Sequence, residues 1–152
     1  SDNPLEDTGA ALLDRALPHA AHLVSLTLHR CRISEYGMRH LATGVGRSST
    51  LRQLWLMDNA ARCDGARHLS EAVQHAGASV THLGLESNGV GAAGAKALAG
   101  VLAKKGATLE ELRLQHNPLG PDGVTALARA LEGNRRLSKL RLRGCGAADA
   151  GG

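Results

Sequence analysis

Hydrophobic residues recur along the chain in one order that is repeated five times. The pattern is L-x-x-L-x-L-x-x-N/C, and its starts are separated by 28, 29, 29 and 28 residues. Because successive side chains of a β-strand point to opposite faces, the L-x-L segment of each copy predicts a short strand with leucines on one face and variable residues on the other. The five copies begin at Leu23, Leu51, Val80, Leu109 and Leu137.

The second half of each copy carries aliphatic residues at helical spacing. Two of them stand four residues apart, on one face of a predicted helix. These pairs are Leu41 with Val45, Leu69 with Val73, Leu98 with Leu102 and Leu127 with Leu131. A glycine four residues earlier is expected to let each helix pack closely on its neighbour, at Gly37, Gly65, Gly94 and Gly123, with Gly151 in the last copy. Helix ends are expected at Gly46, at Gly77, at Gly106 and at Gly133 or Asn134.

An asparagine or a cysteine follows each predicted strand, namely Cys31, Asn59, Asn88, Asn117 and Cys145. An asparagine amide can donate and accept hydrogen bonds with the backbone of a turn, so stacked copies are expected to form a ladder. A small buried thiol with a weak donor can replace the amide. The two ladder cysteines lie four strands apart, or about 19 Å, which excludes a disulfide between them.

These repeats resemble the leucine-rich repeats of the ribonuclease-inhibitor subclass. The features that carry the resemblance are the 28/29-residue period, the Asn/Cys alternation and the helix pattern G-x-x-x-L-A-x-x-L, present as GAKALAGVL (94–102) and GVTALARAL (123–131). The resemblance covers the whole chain. It implies an α/β solenoid, a right-handed horseshoe with parallel strands on the concave side and helices on the convex side.

The chain is expected to be a single repeat array. It divides into a partial unit at residues 1–22, repeats that start at residues 23, 51, 80 and 109, and a partial repeat at 137–152. The segment NPLEDTGAALLDRAL (3–17) aligns with NPLGPDGVTALARAL (117–131), so both ends fall inside a unit. Because stacked repeats expose apolar surface at open ends, we expect flanking repeats or domains of the same parent chain, and self-association of the isolated segment.

Composition bears first on the core and then on the possible partners. The chain is 43% hydrophobic but has no phenylalanine, which favours a thin aliphatic core. Its net charge of +4 suits acidic partners, yet no basic run is interleaved with aromatic residues for base stacking, so we expect no nucleic acid. Charged residues interrupt the most apolar segment, so we expect no membrane span. Three cysteines without a CxxC pair indicate reduced thiols and a cytoplasmic location.

The variable strand residues are the candidates for function, because they line the expected concave face. Trp55 is the single tryptophan, and tryptophan and arginine are enriched at interface hot spots. Its alternative role is to cover apolar neighbours within its own solenoid. The candidate partner-binding residues are Gln53, Trp55, Met57, His82, Glu86, Glu111, Arg113, Gln115, Lys139, Arg141 and Arg143.

Opposite charges also meet across the predicted strands. We expect Arg30 with Asp58, and Glu111 with Lys139, to be solvated pairs of small energetic weight. The basic residues of the last strand leave two interpretations open, a docking patch for an acidic partner or an ordinary charged surface.

A protein-interaction module within a larger protein is the function that this pattern favours, with a protein partner on the concave face and with no cofactor, metal or enzymatic activity. One alternative is a GTPase-activating module similar to the Ran GTPase-activating proteins, although no catalytic motif can be matched. Another is a structural component of a large assembly, such as a ciliary one. A metal site of His68, Glu71 and His75 is conceivable from spacing, but such residues are more often solvated.

Overall fold

The computed structural model describes residues 5–75 and 77–146, and in them helices alternate with short strands. The helices are α1 (Glu6–Ala16), α2 (Glu35–Arg47), α3 (Arg62–Val73), α4 (Ala92–Ala103) and α5 (Gly120–Gly133), with a short 3-10 helix at Leu17–His19. The strands are β1 (Ser25–Thr27), β2 (Gln53–Trp55), β3 (His82–Gly84), β4 (Glu111–Arg113) and β5 (Lys139–Arg141). The predicted glycine position at Gly151 lies outside the described residues.

All five strands are parallel and follow one another in the order β1-β2-β3-β4-β5. Their register keeps the repeat frame, so that each strand residue stands beside the residue at the same place in the next repeat. Each helix packs on the helix of the neighbouring repeat. The predicted α/β solenoid is therefore confirmed.

The core is the thin aliphatic layer that the composition favours. The central strand leucines Leu54, Leu83 and Leu112 have no exposed surface, and they meet the helix residues that were predicted to face them. At the two edges of the sheet, Leu26 and Leu140 are only partly buried. Burial thus falls from the middle of the stack toward its first and last strands.

Glycines at the helix starts permit close helix packing, as expected. A Cβ atom added at Gly123 would lie 3.0 Å from the Cβ of Ala95 and 3.3 Å from the Cα of Ala92, both on α4. The expected helix-ending role is wrong for three glycines. Gly46 lies inside α2, which ends at Arg47 with Ser48 as its C-cap. α3 ends before Gly77 with Gln74 as its C-cap, and α4 ends before Gly106 with Lys104 as its C-cap.

The predicted asparagine ladder is confirmed. The Nδ2 of Asn117 donates to Leu85 O at 2.8 Å and to Leu114 O at 2.9 Å. Its Oδ1 accepts from the backbone N–H groups of Asn88 and Val90, both at 2.9 Å. Each amide therefore connects its own repeat to the preceding one. The Sγ of Cys145 reproduces one of these links by donating to Leu114 O at 2.8 Å.

The residue just before each ladder position has a left-handed backbone. These φ values lie between 52° and 73° and belong to Arg30, Asp58, Ser87, His116 and Gly144. Non-glycine residues rarely adopt this conformation. The ladder bonds on either side of each turn hold it in place, so the chain bends at the same point in every repeat.

Candidate functional site

The strand side chains that point away from the helices form one continuous surface, here called the sheet face. It is the surface that the sequence predicts to be concave. Seven of the eleven candidate residues lie in β2–β5 themselves, and the other four lie two residues beyond the strand ends. Because the register is constant, equivalent positions form rows across the sheet, such as Thr27, Trp55, Gly84, Arg113 and Arg141.

The Trp55 indole lies across the neighbouring strand rather than standing upright. A Cβ atom at Gly84 would be 2.6 Å from Cε3 of Trp55, so the ring occupies the space that a side chain would take. The guanidinium carbon of Arg113, one strand further, lies 4.2 Å from the ring centroid. The His82 ring meets the indole edge-on with 6.2 Å between centroids. Trp55 thus packs within its own solenoid and remains partly exposed.

Beside this ring, the Glu111 carboxylate is nearly enclosed, with 6% of its side chain exposed. Arg113 Nε donates to Glu111 Oε1 at 2.6 Å, and Arg141 Nε lies 3.6 Å from the same oxygen. His82 Nε2 is 4.0 Å from Oε2. Burial acts to raise the pKa of Glu111, but the hydrogen bond and charge of Arg113, with Lys139 and His82, outweigh it, so the pKa lies below its ordinary value.

The expectation of a solvated Glu111–Lys139 pair is wrong. The two residues are register partners on β4 and β5, but Glu111 is buried and its hydrogen-bond partner is Arg113. The Arg113 side chain is long enough to explain this, since a guanidinium two residues along the same strand can fold back onto the carboxylate and cover it. By contrast, Arg30 and Asp58 form the expected partly exposed pair, with 3.4 Å between Nε and Oδ2.

Arg113 is restrained from three sides. Its Nε is bonded to Glu111, its guanidinium carbon lies over the Trp55 ring, and its Nη1 is 3.9 Å from Oε1 of Glu86. Side-chain freedom that an exposed arginine ordinarily loses on binding is therefore already lost in the free protein. The cluster of Trp55, His82, Glu111 and Arg113 is the most strongly organised part of the sheet face.

The remaining candidate residues surround this cluster. Gln53 and Met57 are partly buried on the β2 side, whereas Lys139 and Arg143 are exposed on the β5 side. Gln115 is partly buried, and its Oε1 has no hydrogen-bond partner within residues 5–75 and 77–146. The structure brings Trp55, His82, Glu111, Arg113 and Arg141 together through direct contacts, while Gln53, Met57, Lys139 and Arg143 form the margins of the surface.

Two features of the cluster were not predicted from the sequence. The first is the role of Gly84, which leaves the space that the indole occupies. The sequence signals this role only through the missing side chain in the row between Trp55 and Arg113. The second feature is the burial of Glu111, for which a repeat pattern carries no signal because it depends on how two long arginine side chains fold.

The opposite face has a groove of about 430 Å³ between α2 and α3, lined by Arg39, Arg47, His68, Glu71 and His75 among others. Arg67 Nη1 bonds Glu71 Oε1 at 2.9 Å, while His68 Nδ1 is 3.9 Å from Glu71 Oε2. Burial, followed by the charge of Arg67, lowers the pKa of His68. Among the residues that the structure describes, no group of three histidine, cysteine or acidic residues could hold a metal ion.

Comparison with known proteins agrees with this architecture. Residues 78–99 and 107–128 match the family model described as Leucine Rich repeat. The solved structure of Leiomodin-1 Actin-Binding Site 2 is similar with a TM-score of 0.75, covering 87% of this chain and 78% of that chain at 16% identity, which shows the fold alone. The chain therefore contains leucine-rich repeats and folds as a leucine-rich-repeat α/β solenoid. In the described segments, no helix is long and apolar enough to cross a membrane.

The chain is also similar in sequence to part of two curated human proteins. The chain is 34% identical over 84 residues to NACHT, LRR and PYD domains-containing protein 14 of Homo sapiens, which is 55% of this chain and 8% of that protein. It is 32% identical over 88 residues to the human NACHT, LRR and PYD domains-containing protein 5, which is 57% of this chain and 7% of that protein. The chain spans less than a tenth of the length of these relatives.

Proposed function

We propose that this chain is a protein-interaction module that binds a protein partner through the sheet face. The observation that carries the proposal is the Trp55–Arg113–Glu111 cluster, which combines a partly exposed tryptophan with a restrained arginine. These two residue types dominate binding energy at protein interfaces, and restraint before binding lowers the entropic cost of association. The leucine-rich repeats of the chain and of its relatives support the same class, because such solenoids offer extended binding surfaces.

We further propose that the repeats are of the ribonuclease-inhibitor subclass and that the chain is part of a larger cytoplasmic protein. The 28/29-residue period and the mixed Asn/Cys ladder support the subclass. The short coverage of the relatives supports the larger parent. Three free cysteines support a reducing compartment.

The two alternatives have less support. A GTPase-activating role needs an arginine that can reach a bound GTPase, and Arg30, which follows β1, is paired with Asp58. A structural role in a large assembly is favoured by the partly buried leucines of β1 and β5, which leave apolar surface at the sheet edges. Single-turnover hydrolysis with small GTPases tests the first alternative, and cross-linking in the native complex tests the second.

The test of the proposed function is affinity purification from cells with wild-type and substituted chains as bait. Trp55→Ala combined with Met57→Ala removes exposed apolar area from the sheet face. The matched control, Lys96→Ala with Arg129→Ala, changes exposed residues of α4 and α5. The proposal expects specific partners to be lost by the first variant and kept by the second. Retention of the same partners by both variants contradicts it.

A further inference from the structure

Arg113 and Arg141 stand side by side on β4 and β5 as register partners. Both guanidinium groups approach one oxygen of Glu111, Arg113 Nε at 2.6 Å and Arg141 Nε at 3.6 Å. Adjacent strands are about 4.8 Å apart, so a single buried carboxylate lies beside two neighbouring guanidinium groups, of which it holds Arg113 by a hydrogen bond and attracts Arg141 by charge. This arrangement exceeds what neutralisation of Glu111 requires, because one arginine suffices for one carboxylate.

Most hydrogen-bond donors of the two arginines remain available. A guanidinium carries five N–H donors in a planar fork. Within residues 5–75 and 77–146, Arg113 donates one hydrogen bond, through Nε, and Arg141 donates none. Their side chains are 34% and 51% exposed, so the terminal nitrogens can be reached from solvent.

The surrounding charges favour an anionic ligand. On β3–β5 and the residues that directly follow them, the sheet face carries the carboxylates Glu86 and Glu111 against Arg113, Lys139, Arg141 and Arg143. Two negative charges against four positive charges leave a surplus of two positive charges. On the β1–β2 side, Arg30 and Asp58 neutralise each other. The surplus is therefore concentrated on the part of the sheet face where the paired arginines lie.

We propose that Arg113 and Arg141 form a clamp for a carboxylate side chain in an acidic segment of the protein partner, an inference that rests on the proposed function. Planar guanidinium groups match carboxylates through paired N–H···O bonds, which are stronger than neutral hydrogen bonds. Glu111 positions the clamp, and Lys139 and Arg143 attract acidic residues on either side of the bound carboxylate.

A polyphosphate strand fits this surface less well than a carboxylate. Nucleic-acid backbones bind along lines of cations with aromatic rings between them for base stacking. Here Glu86 and Glu111 interrupt the cations, and the face of the Trp55 ring is already occupied by Arg113. The geometry suits one localised negative charge.

The experiment measures binding of a fluorescein-labelled oligoglutamate peptide to the full chain by fluorescence anisotropy at low and raised salt. Arg141→Gln removes half of the clamp, and Arg143→Gln is its matched control on the same strand with the same change in charge. We expect Arg141→Gln to weaken binding by about tenfold and Arg143→Gln by less than about twofold, since a charged hydrogen bond exceeds screened attraction. Equal losses in the two variants would mean an unspecific basic patch and overturn the clamp.

Glu111→Gln separates positioning from charge. An unspecific basic patch binds the peptide more tightly once a negative charge is removed, whereas a clamp that has lost its support binds more weakly. Tighter binding by this variant therefore overturns the proposal, and weaker binding by a variant with a wild-type circular dichroism spectrum supports it. A single-stranded oligothymidylate that binds as tightly as the peptide, with the same loss on Arg141→Gln, assigns the site to phosphate and also overturns it.

Failure of the clamp is distinguishable from failure of the proposed function. If the Arg141→Gln chain still captures a partner that the Trp55→Ala, Met57→Ala chain loses, the partner binds the sheet face without a carboxylate clamp. Partners that survive both changes contradict the proposed function itself.

Discussion

The Trp55 ring rests on Gly84, which lies one strand away in the same row of the sheet. The ring and a side chain at residue 84 exclude each other, because a Cβ there would be 2.6 Å from Cε3 of the indole and 2.8 Å from Oε2 of Glu86. The tilt of the ring in turn places it 4.2 Å from the Arg113 guanidinium. One glycine therefore determines how the tryptophan and the arginine of the sheet face meet.

Gly84→Ala is expected to turn the indole away from Arg113. The ring and the Glu86 carboxylate lie on rotatable side chains, so the fold should persist while the contact over Arg113, of about 0.5–1 kcal/mol, is lost. Since Trp55 is the single tryptophan, its emission spectrum reports the change directly. Gly100→Ala is the control, because no atom of residues 5–75 and 77–146 lies within 4 Å of a Cβ at that position. An unchanged emission spectrum in Gly84→Ala would falsify this account of the cluster.

Substitutions of Asn117 in the ladder should differ in how much they lower the free energy of unfolding. Asn117→Ala leaves buried backbone groups of two repeats without partners, and we expect it to lower the free energy of unfolding by about 3 kcal/mol. Asn117→Cys should cost less, because the Cys145 thiol donates to Leu114 O in the same way that Asn117 donates to Leu85 O. Urea denaturation measures both values. A cysteine variant as unstable as the alanine variant contradicts equivalence of the two residues.

Acid should weaken the fold partly through Glu111. Its pKa in the folded chain lies below the ordinary value of 4.5, so its contribution is present above about pH 4.5 and is lost as pH falls through the lower folded value. Glu111→Gln should lower the free energy of unfolding near neutral pH and should show a shallower loss of stability below pH 4.5 than the wild type. Urea denaturation across acidic pH, with Glu132→Gln at the exposed end of α5 as control, tests this. Parallel pH profiles for the wild type and Glu111→Gln would count against the prediction.

Two helix glycines should respond in opposite directions to alanine. A Cβ at Gly44 would lie 2.8 Å from the Cα of Asp14, a backbone atom of α1 that cannot turn aside, so we expect a loss of about 1–3 kcal/mol. A Cβ at Gly100 in α4 meets no atom of the described residues, so Gly100→Ala should stabilise the fold by about 0.4–1 kcal/mol, because alanine restricts the unfolded chain. Thermal and urea denaturation measure whether each substitution raises or lowers the free energy of unfolding. A stabilised Gly44→Ala variant would show that α1 and α2 are not in close contact.

The repeat period predicted the strands, their rows and the ladder, because each depends on spacing that recurs along the chain. Leu54 and Leu83 are enclosed and Asn117 bonds two turns for this reason. The ends of the helices were less predictable, since Gly46 packs against Ala72 of α3 instead of ending α2.

The chemistry of the sheet face was predictable only in part. Trp55 and Arg113 could be placed in one row, but their stacking depends on the tilt that Gly84 permits. The enclosure of Glu111 depends on the folding of two arginine side chains over it, and such long side chains have many rotamers that no repeat pattern selects. Whether these residues bind a partner remains a prediction for the experiments above.

The ladder also bears on how arrays of this kind change length. Asn59 joins Leu28 O to Leu56 O, and Asn117 joins Leu85 O to Leu114 O, so these two junctions between repeats have the same chemistry. Removal of whole repeats between two such junctions rejoins halves that carry matching donors and acceptors. Repeat number can therefore change there without a compensating substitution in the ladder, while the rows of side chains available to a partner become shorter.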